Sequence, residues 1–283
     1  MSRSLSRART TRPVGARKLL SQNFLANPGI AAALVRSSGV GAEDLVVEIG
    51  PGDGMLTDRL LATAGRVLAY EIDGHYAARL RDRYAGDHRI RCCHRDFRSV
   101  TAPREPFAVV ANIPFASSTD IVRWCVAAPN LTSATLLTQR EFARKHSGDY
   151  GRWTKLAVTH WPTTAFELGL RVDRRQFRPI PRVDAAVLRL RTRPVPLLPA
   201  RAMPGYHRMV ELGFSGVGGS FAASLSRAFP ARRVRAACVR AGVRLDQPVG
   251  SVSPGNWIDV HVNLCSDTSG VPGVTVSVRP RSG

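Results

Sequence analysis

The chain has 283 residues, and its 41 lysines and arginines against 21 acidic residues give a formal net charge of +20. Hydrophobic residues make up 44% of it, enough for a folded core, which excludes wholesale disorder. No apolar run reaches the roughly 20 residues that span a bilayer. The five cysteines, without CxxC spacing, fit neither a disulfide framework nor a structural zinc site. We expect a cytoplasmic protein with a polyanionic partner, no membrane contact and no metal.

The positive charge extends along the whole chain. Cations but no acidic residue precede Glu43, and the cation excess continues in residues 43–195 and 196–283. A basic arm followed by a basic body is typical of nucleic-acid-binding proteins. A genome rich in G and C, in which arginine codons replace lysine codons, would explain why arginine outnumbers lysine. It would not explain why cations outnumber anions. We therefore favour a nucleic-acid partner over a merely solvated surface.

Apolar segments and helical patterns alternate after an arginine-rich arm, residues 1–17, that is predicted to be disordered. The alternation predicts a parallel sheet covered by helices on both faces. The predicted strands are 45–49, 66–72, 89–93, 107–111 and 133–138. A predicted helix, 28–38, precedes the first strand, and the predicted helices between the strands are 54–64, 75–84 and 117–128.

The pattern changes in the second half of the chain. Segments 164–172 and 185–190 are predicted strands with little helix between them, which favours an antiparallel hairpin at the sheet edge. The proline-rich stretch 193–204 indicates a linker to a smaller all-helical domain, with helices at 206–214, 221–229 and 234–241. The predicted organisation is an arm (1–17), an α/β domain (18–195), a helical domain (196–265) and a flexible tail (266–283).

A glycine motif after the first strand indicates a cofactor site. Glu48 precedes Gly50, Gly52 and Gly54 in the pattern ExGxGxG, and glycines are needed where backbone must approach a ligand closely. Dinucleotide sites show GxGxxG instead. A phosphate cradle disfavours nearby carboxylates such as Glu48 and Asp53, whereas a cationic ligand tolerates them. The motif resembles the first motif of S-adenosylmethionine-dependent methyltransferases, whose cofactor carries a positive sulfonium and a positive amino group.

Two acidic residues follow at the next strand ends. Glu71 can accept hydrogen bonds from both ribose hydroxyls, although an NAD enzyme would place a carboxylate similarly. Asp96 stands where class I methyltransferases contact the cofactor adenine, and a simple helix cap is the alternative. Because the carboxyl ends of strands in a doubly wound sheet line one crevice, the glycine loop, Glu71 and Asp96 are predicted to form one site.

The segment Asn112-Ile113-Pro114-Phe115 at the fourth strand end indicates the reaction. An exocyclic aromatic amine is a poor nucleophile because its lone pair is delocalised into the ring. Asn112 Oδ1 and the Ile113 carbonyl can each accept one amine hydrogen, Pro114 fixes the turn, and Phe115 offers a face for base stacking. A strand-end turn without catalytic role is the alternative. The segment resembles the (N/D)PP(Y/F) motif of amino-methyltransferases.

Six segments together resemble the rRNA adenine dimethyltransferase superfamily, in the form of the erythromycin-resistance (Erm) family. In chain order they are SQNFL (21–25), EIGPGDG (48–54), EID (71–73), RDF (95–97), NIPF (112–115) and FRPIPRV (177–183). The resemblance covers about residues 17–262. It implies a Rossmann-like class I methyltransferase domain with a mostly parallel seven-stranded sheet, the cofactor S-adenosyl-L-methionine, and methylation of one adenine in naked or partly assembled 23S rRNA. Such methylation blocks macrolide, lincosamide and streptogramin B binding. We expect a monomer, and the number of methyl groups added stays open.

The resemblance also implies site residues. The cofactor would be bound by Gln22, Asn23, Leu25, Gly50, Gly52, Glu71, Ile72, Asp96, Phe97 and Asn112. The catalytic segment would be Asn112, Ile113, Pro114 and Phe115, with Phe177 flanking the flipped base from the other side. Expected RNA contacts, beside Phe177, are Arg140, Arg144, Lys145, Arg152, Arg174 and Arg175.

Three other functions are weighed against this one. Small-subunit rRNA adenine dimethyltransferases, which act in ribosome assembly, typically show GQNFL, NLPY and a basic motif at the start of the C-terminal domain. This chain has SQNFL, NIPF and, at 214–220, no basic pair. A non-catalytic RNA-binding relative is disfavoured by the intact glycine loop and NIPF, and an NAD oxidoreductase by GxGxG together with NIPF.

Overall fold

The structure, a computed structural model, describes residues 23–266. The predicted arm (1–17), the predicted tail beyond Ser266 and the candidate cofactor residue Gln22 lie outside the described residues. Between residues 23 and 266, no helix combines the length and the apolar character that a membrane crossing requires.

Nine strands occur in the described part of the chain. They are β1 (Phe24–Leu25), β2 (Leu45–Ile49), β3 (Arg66–Glu71), β4 (Ile90–His94), β5 (Phe107–Asn112), β6 (Leu131–Gln139), β7 (Thr164–Val172), β8 (Phe177–Arg178) and β9 (Ala185–Thr192). Seven of them form one sheet in the order β4-β3-β2-β5-β6-β9-β7, and β1 pairs with β8 in a separate two-stranded ladder.

The large sheet confirms the predicted fold class, a mostly parallel seven-stranded sheet followed by C-terminal helices. Its ladders β4–β3, β3–β2, β2–β5 and β5–β6 are all parallel. The chain runs outward from β2 to β4 and then returns to β5 on the other side of β2. This reversal opens a crevice at the carboxyl ends of the central strands, where ligands bind in open α/β sheets.

Ten helices occur in the same part of the chain. They are α1 (Pro28–Ser38), α2 (Met55–Leu61), α3 (Gly74–Arg83), α4 (Ser118–Ala127), α5 (Arg140–His146), α6 (Lys155–His160), α7 (Met203–Gly213), α8 (Phe221–Leu225), α9 (Ala231–Arg240) and α10 (Pro254–Ser266). Helix α1 has the predicted bounds because Asn27 Oδ1 accepts the N–H of Gly29 at 2.8 Å, and because Gly39 ends the helix with φ at 74°.

Some elements are not predicted from the sequence patterns. β1, β8, α5 and α6 are too short to show a hydrophobic period. Helix α10 has a recognisable start, since Ser253 precedes Pro254 and its Oγ accepts the N–H of Asn256 at 3.2 Å. Helix α8 ends at Leu225, four residues earlier than predicted.

The chain divides into two compact units. One contains the described residues up to Ala143 together with Leu168–Arg189, and the other contains Arg144–Glu167 together with the described residues from Leu190 onward. The predicted division at residue 195 differs, because it assigns 144–167 to the first domain. These residues join the second unit because Val158 of α6 is fully buried in a core formed with Tyr206, Phe221 and Trp257.

Glu48 is the penultimate residue of β2, a strand in which every residue is buried, and only 1% of Glu48 is exposed. Its Oε2 accepts a hydrogen bond from the hydroxyl of Thr57 at 2.7 Å. Burial raises the pKa of Glu48 from 4.5 to about 8, against the lowering effect of that hydrogen bond. The carboxyl is therefore mostly neutral at pH 7, which corrects the expectation that it sets a negative charge beside the glycine loop.

This pKa predicts a pH-dependent stability. The unfolded chain releases the Glu48 proton near pH 4.5 and the folded chain near pH 8, so the wild type loses stability as the pH rises through this window. Glu48→Gln retains an acceptor for Thr57 and has no proton to lose. In urea titrations, the free energy of unfolding of the variant should be close to that of the wild type at about pH 4 and exceed it increasingly up to about pH 8. A difference that does not change with pH would show that Glu48 is ionised in the fold.

Candidate active site

A cavity of about 320 Å³ lies at the carboxyl ends of β2, β3, β4 and β5 in the first unit. Its lining comes from the ends of these strands, the segments after them, and the residues around β1. The lining residues are Asn23, Phe24, Ile49, Gly50, Gly52, Tyr70, Glu71, Ile72, Arg95, Asp96, Phe97, Arg98, Asn112, Ile113, Pro114, Ala116, Ser117 and Asp120. The three sequence motifs thus meet at one site.

Most of the expected cofactor residues share this cavity. Those that line it are Asn23, Gly50, Gly52, Glu71, Ile72, Asp96, Phe97 and Asn112. Leu25 does not line it, because its side chain is buried in the core of the first unit. In the catalytic segment, Asn112, Ile113 and Pro114 line the cavity, whereas Phe115 is half-buried, packs against that core and is not among the lining residues.

The glycine loop brings its backbone to the cavity floor. Gly50 and Gly52 have φ values of 71° and 58°, in the left-handed region that favours glycine. A Cβ atom at Gly52 would lie 2.5 Å from the ring of Phe24, so the loop also needs glycine there to admit the first residue of β1. The N–H of Gly52 donates to Glu71 Oε2 at 3.0 Å, which ties the loop to the end of β3.

Glu71 provides a buried acceptor, with only 2% of the residue exposed. Each carboxylate oxygen accepts one backbone N–H, from Gly52 at 3.0 Å and from Asp73 at 2.9 Å. Burial raises the pKa of Glu71, and the backbone donors oppose this shift. A carboxylate offers about four lone-pair positions, so capacity remains for two hydroxyl donors of a ligand.

Asp96 is both a helix cap and a cavity residue. It accepts the N–H of Arg98 at 3.0 Å at the start of a short 3-10 helix, Phe97–Ser99. The guanidinium of Arg98 also forms an ion pair with the carboxylate, and its Nη2 donates to Oδ2 at 2.6 Å. This ion pair holds the pKa of Asp96 below its ordinary value. A ligand amine that binds Asp96 therefore shares the carboxylate with Arg98 or displaces it.

Asn112 presents an acceptor without a partner. Its Nδ2 donates to the carbonyl of Asn23 at 2.8 Å, whereas its Oδ1 is buried and has no hydrogen-bond partner among the described residues. An unpartnered buried acceptor costs about 1–3 kcal/mol. Of the buried side-chain atoms that lack a partner in the described part of the chain, Asn112 Oδ1 belongs to a residue that lines the cavity, where a ligand could donate to it.

The residues expected to contact RNA differ in whether their side chains already form ion pairs or hydrogen bonds within the protein. Arg144 pairs with Asp149 and stacks over the Tyr150 ring at 3.9 Å. Arg175 binds Asp173 at 2.9 Å, and Arg174 donates to the carbonyl of Arg182 at 3.2 Å. Lys145 and Arg152 are exposed, and Arg140 is half-buried.

Phe177 requires a correction. Its side chain is fully buried in the core of the first unit, and its backbone pairs with Leu25 in the β1–β8 ladder. A ring with no exposed surface cannot flank a base that enters from solvent. The aromatic side chain therefore packs the core, and we no longer propose that it contacts RNA.

Several cavity residues are not predicted by motif analysis. Tyr70, Arg98, Ser117 and Asp120 line the cavity because each lies within a few residues of a strand end. The signal for them is their position at the end of β3, or after β4 or β5, rather than membership in a motif. From Asn23 to Ser266, no group of three or more His, Cys, Asp or Glu residues is arranged to hold a metal ion.

Comparison with known proteins identifies the family. Residues 15–264 match the family described as ribosomal RNA adenine dimethylase. An rRNA adenine N-6-methyltransferase of Aeromicrobium erythreum is 44% identical, and the match covers 99% of this chain and 86% of that protein. The mycinamicin-resistance protein MyrB of Micromonospora griseorubida is 32% identical, with 89% of this chain and 80% of that protein covered.

The fold matches a solved structure of the same kind. The crystal structure of the 23S rRNA methyltransferase ErmE is 44% identical in sequence and superimposes with a TM-score of 0.82, covering 86% of this chain and 100% of that one. The chain belongs to the ribosomal RNA adenine dimethylase family and, within it, to the Erm-type rRNA adenine N-6-methyltransferases.

Proposed function

We propose that this chain transfers a methyl group from S-adenosylmethionine to the 6-amino group of one adenine in 23S rRNA, and that the modification gives resistance to macrolide-type antibiotics. The observation that carries the proposal is the buried Oδ1 of Asn112, which lacks a donor and belongs to a cavity-lining residue. An acceptor of this kind suits an amine whose hydrogens must be held. We further propose that the enzyme acts as a monomer in the cytoplasm.

The residues of the cavity fit the proposed cofactor. The cavity volume of about 320 Å³ lies within the range of small-molecule sites, about 300–1,000 Å³. Glu71 has free acceptor capacity for the two ribose hydroxyls, and Asp96 offers a carboxylate to the adenine amine, flanked by the apolar side chains of Ile72 and Phe97. When bound, S-adenosylmethionine supplies an electrophilic methyl group on a positively charged sulfur.

In the proposed reaction, Asn112 orients the target amine. Its Oδ1 and the carbonyl oxygen of Ile113 each accept one amine hydrogen, which draws the nitrogen out of conjugation and directs its lone pair at the methyl carbon. A nitrogen–carbon bond forms as the sulfur–carbon bond breaks. The methylated ammonium then loses its proton to water, so no general base is needed. Orientation supplies most of the acceleration.

The target adenine reaches Asn112 only after it leaves its stack, which costs a few kcal/mol. A loop or bulge in the RNA lowers this cost. Phe115, half-buried beside the catalytic turn, is proposed to stack the extruded base. Exposed cations then hold the RNA by its phosphates, which fixes its position without reading its sequence.

Substrate choice is the first test of the proposal. Purified protein is incubated with labelled S-adenosylmethionine and naked 23S or 16S rRNA, and the RNA is digested for nucleoside mass analysis. We expect methylated adenine in 23S rRNA only, and the product mass gives the number of methyl groups. Label in 16S rRNA instead would establish the small-subunit function. Absence of label in both RNAs, with no cofactor binding by calorimetry, would indicate a non-catalytic RNA-binding protein.

Charge substitution tests the RNA contacts. Lys145 and Arg152 are exposed, and no described carboxylate forms an ion pair with either, so their charges are available to phosphates. Lys145→Gln and Arg152→Gln should each reduce the slope of log affinity against log salt by about one for 23S rRNA. Arg244→Gln is the matched control because Asp246 already pairs with Arg244 at 3.0 Å. Equal slopes for all three variants and the wild type would remove these two residues from the interface.

A further inference from the structure

Residues 23–27 contact both the catalytic turn and the glycine loop. The carbonyl of Asn23 accepts Nδ2 of Asn112 at 2.8 Å, and the ring of Phe24 lies so close to Gly52 that a Cβ there would be only 2.5 Å away. Since this carbonyl fixes the Asn112 amide, the position of Asn23 determines where Oδ1 points. Whatever holds residues 23–27 therefore acts on the catalytic geometry.

Residues 23–27 are held by backbone pairing with β8 and by hydrogen bonds to Gln176, which immediately precedes β8. In the β1–β8 ladder, Phe24 pairs with Arg178 and Leu25 with Phe177, and both Leu25 and Phe177 are buried. Immediately before β8, Gln176 continues the attachment. Its carbonyl accepts the N–H of Ala26 at 2.8 Å.

The side chain of Gln176 makes the second attachment. Its Oε1 accepts Nδ2 of Asn27 at 2.7 Å, and Asn27 Oδ1 at the same time caps α1 through Gly29. Gln176 is itself fixed, because its N–H donates to the carbonyl of Asp173 at 3.0 Å across the short 3-10 helix Arg174–Gln176. One residue thus joins the start of α1 to the basic segment around Arg174 and Arg175.

We propose that Gln176 is a positioning residue for methyl transfer, acting through Asn27 and the Asn23 carbonyl on the amide of Asn112. The inference rests on the proposed function, since it assigns Gln176 a part in the same reaction. Loss of the Oε1 acceptor removes this exposed hydrogen bond of Asn27 Nδ2, whereas Asn27 Oδ1 still caps α1 and the Ala26 N–H keeps its backbone partner. The segment that fixes Asn112 is thereby loosened but not released. Because a misplacement of about 1 Å can lower a rate by about 100-fold, a partial loosening should lower kcat by about tenfold.

The test compares Gln176→Met, of similar length without an acceptor, with Gln176→Glu, which keeps an acceptor for Asn27. Asn130→Ala is the matched control, because it removes side-chain hydrogen bonds to the carbonyls of Pro103 and Arg104, which do not line the cavity. For each variant, kcat on 23S rRNA, the KM values for RNA and S-adenosylmethionine, and the free energy of unfolding in urea are measured. Gln176→Ala replaces Gln176→Met if the latter fails to fold.

The positioning role predicts a specific pattern. Gln176→Met should lower kcat by about tenfold with both KM values within about twofold, Gln176→Glu should keep kcat within about twofold of the wild type, and Asn130→Ala should lose stability without losing kcat. If Gln176→Met keeps the wild-type kcat, or if Asn130→Ala loses kcat to the same extent, Gln176 is merely structural. A wild-type protein that methylates no RNA contradicts the proposed function instead.

Discussion

The hydrogen bond from Asn112 Nδ2 to the carbonyl of Asn23 determines what the catalytic turn can offer. If the amide were rotated, Oδ1 would face another oxygen and the amide would lose its donor–acceptor contact, so the Asn23 carbonyl selects one orientation. That orientation leaves Oδ1 buried and without a donor. A ligand that donates a hydrogen to Oδ1 would offset this energetic cost. In the proposed reaction, this orientation prepares the turn to accept a hydrogen of the target amine.

The fold of the first unit brings the other motif residues into the same cavity as this turn. Parallel strands β2 to β5 end at one edge, so the glycine loop, Glu71, Asp96 and Asn112 reach the same cavity although they are distant in sequence. Glu71 stabilises the loop through Gly52 and retains acceptor capacity. The charged side chains of the cavity also differ from those of the exposed surface. The cavity lining contains three carboxylates and two guanidinium groups, those of Glu71, Asp96, Asp120, Arg95 and Arg98. The excess of carboxylates there suits a cationic cofactor, whereas exposed cations suit RNA.

The sequence predicts the cavity well because its motifs mark strand ends, and strand ends converge in this fold. It predicts long-range pairing poorly. Asn27 and Gln176 are 149 residues apart, and no local pattern indicates that they bond, so β1 and β8 are missed. The same limit explains Phe177: its contact with the base is expected from the family resemblance, and only the long-range β1–β8 ladder reveals that the residue is buried. Arg98 is missed because its role depends on the side-chain geometry around Asp96.

The single-turnover rate of methyl transfer to naked 23S rRNA by Asn112→Ala, with RNA and S-adenosylmethionine both saturating, tests the central claim most directly. The variant lacks the oriented Oδ1, so its rate should fall by about 100-fold or more, while its affinity for S-adenosylmethionine stays within about tenfold of the wild type. A variant that transfers methyl groups at the wild-type rate would contradict the catalytic role assigned to Asn112.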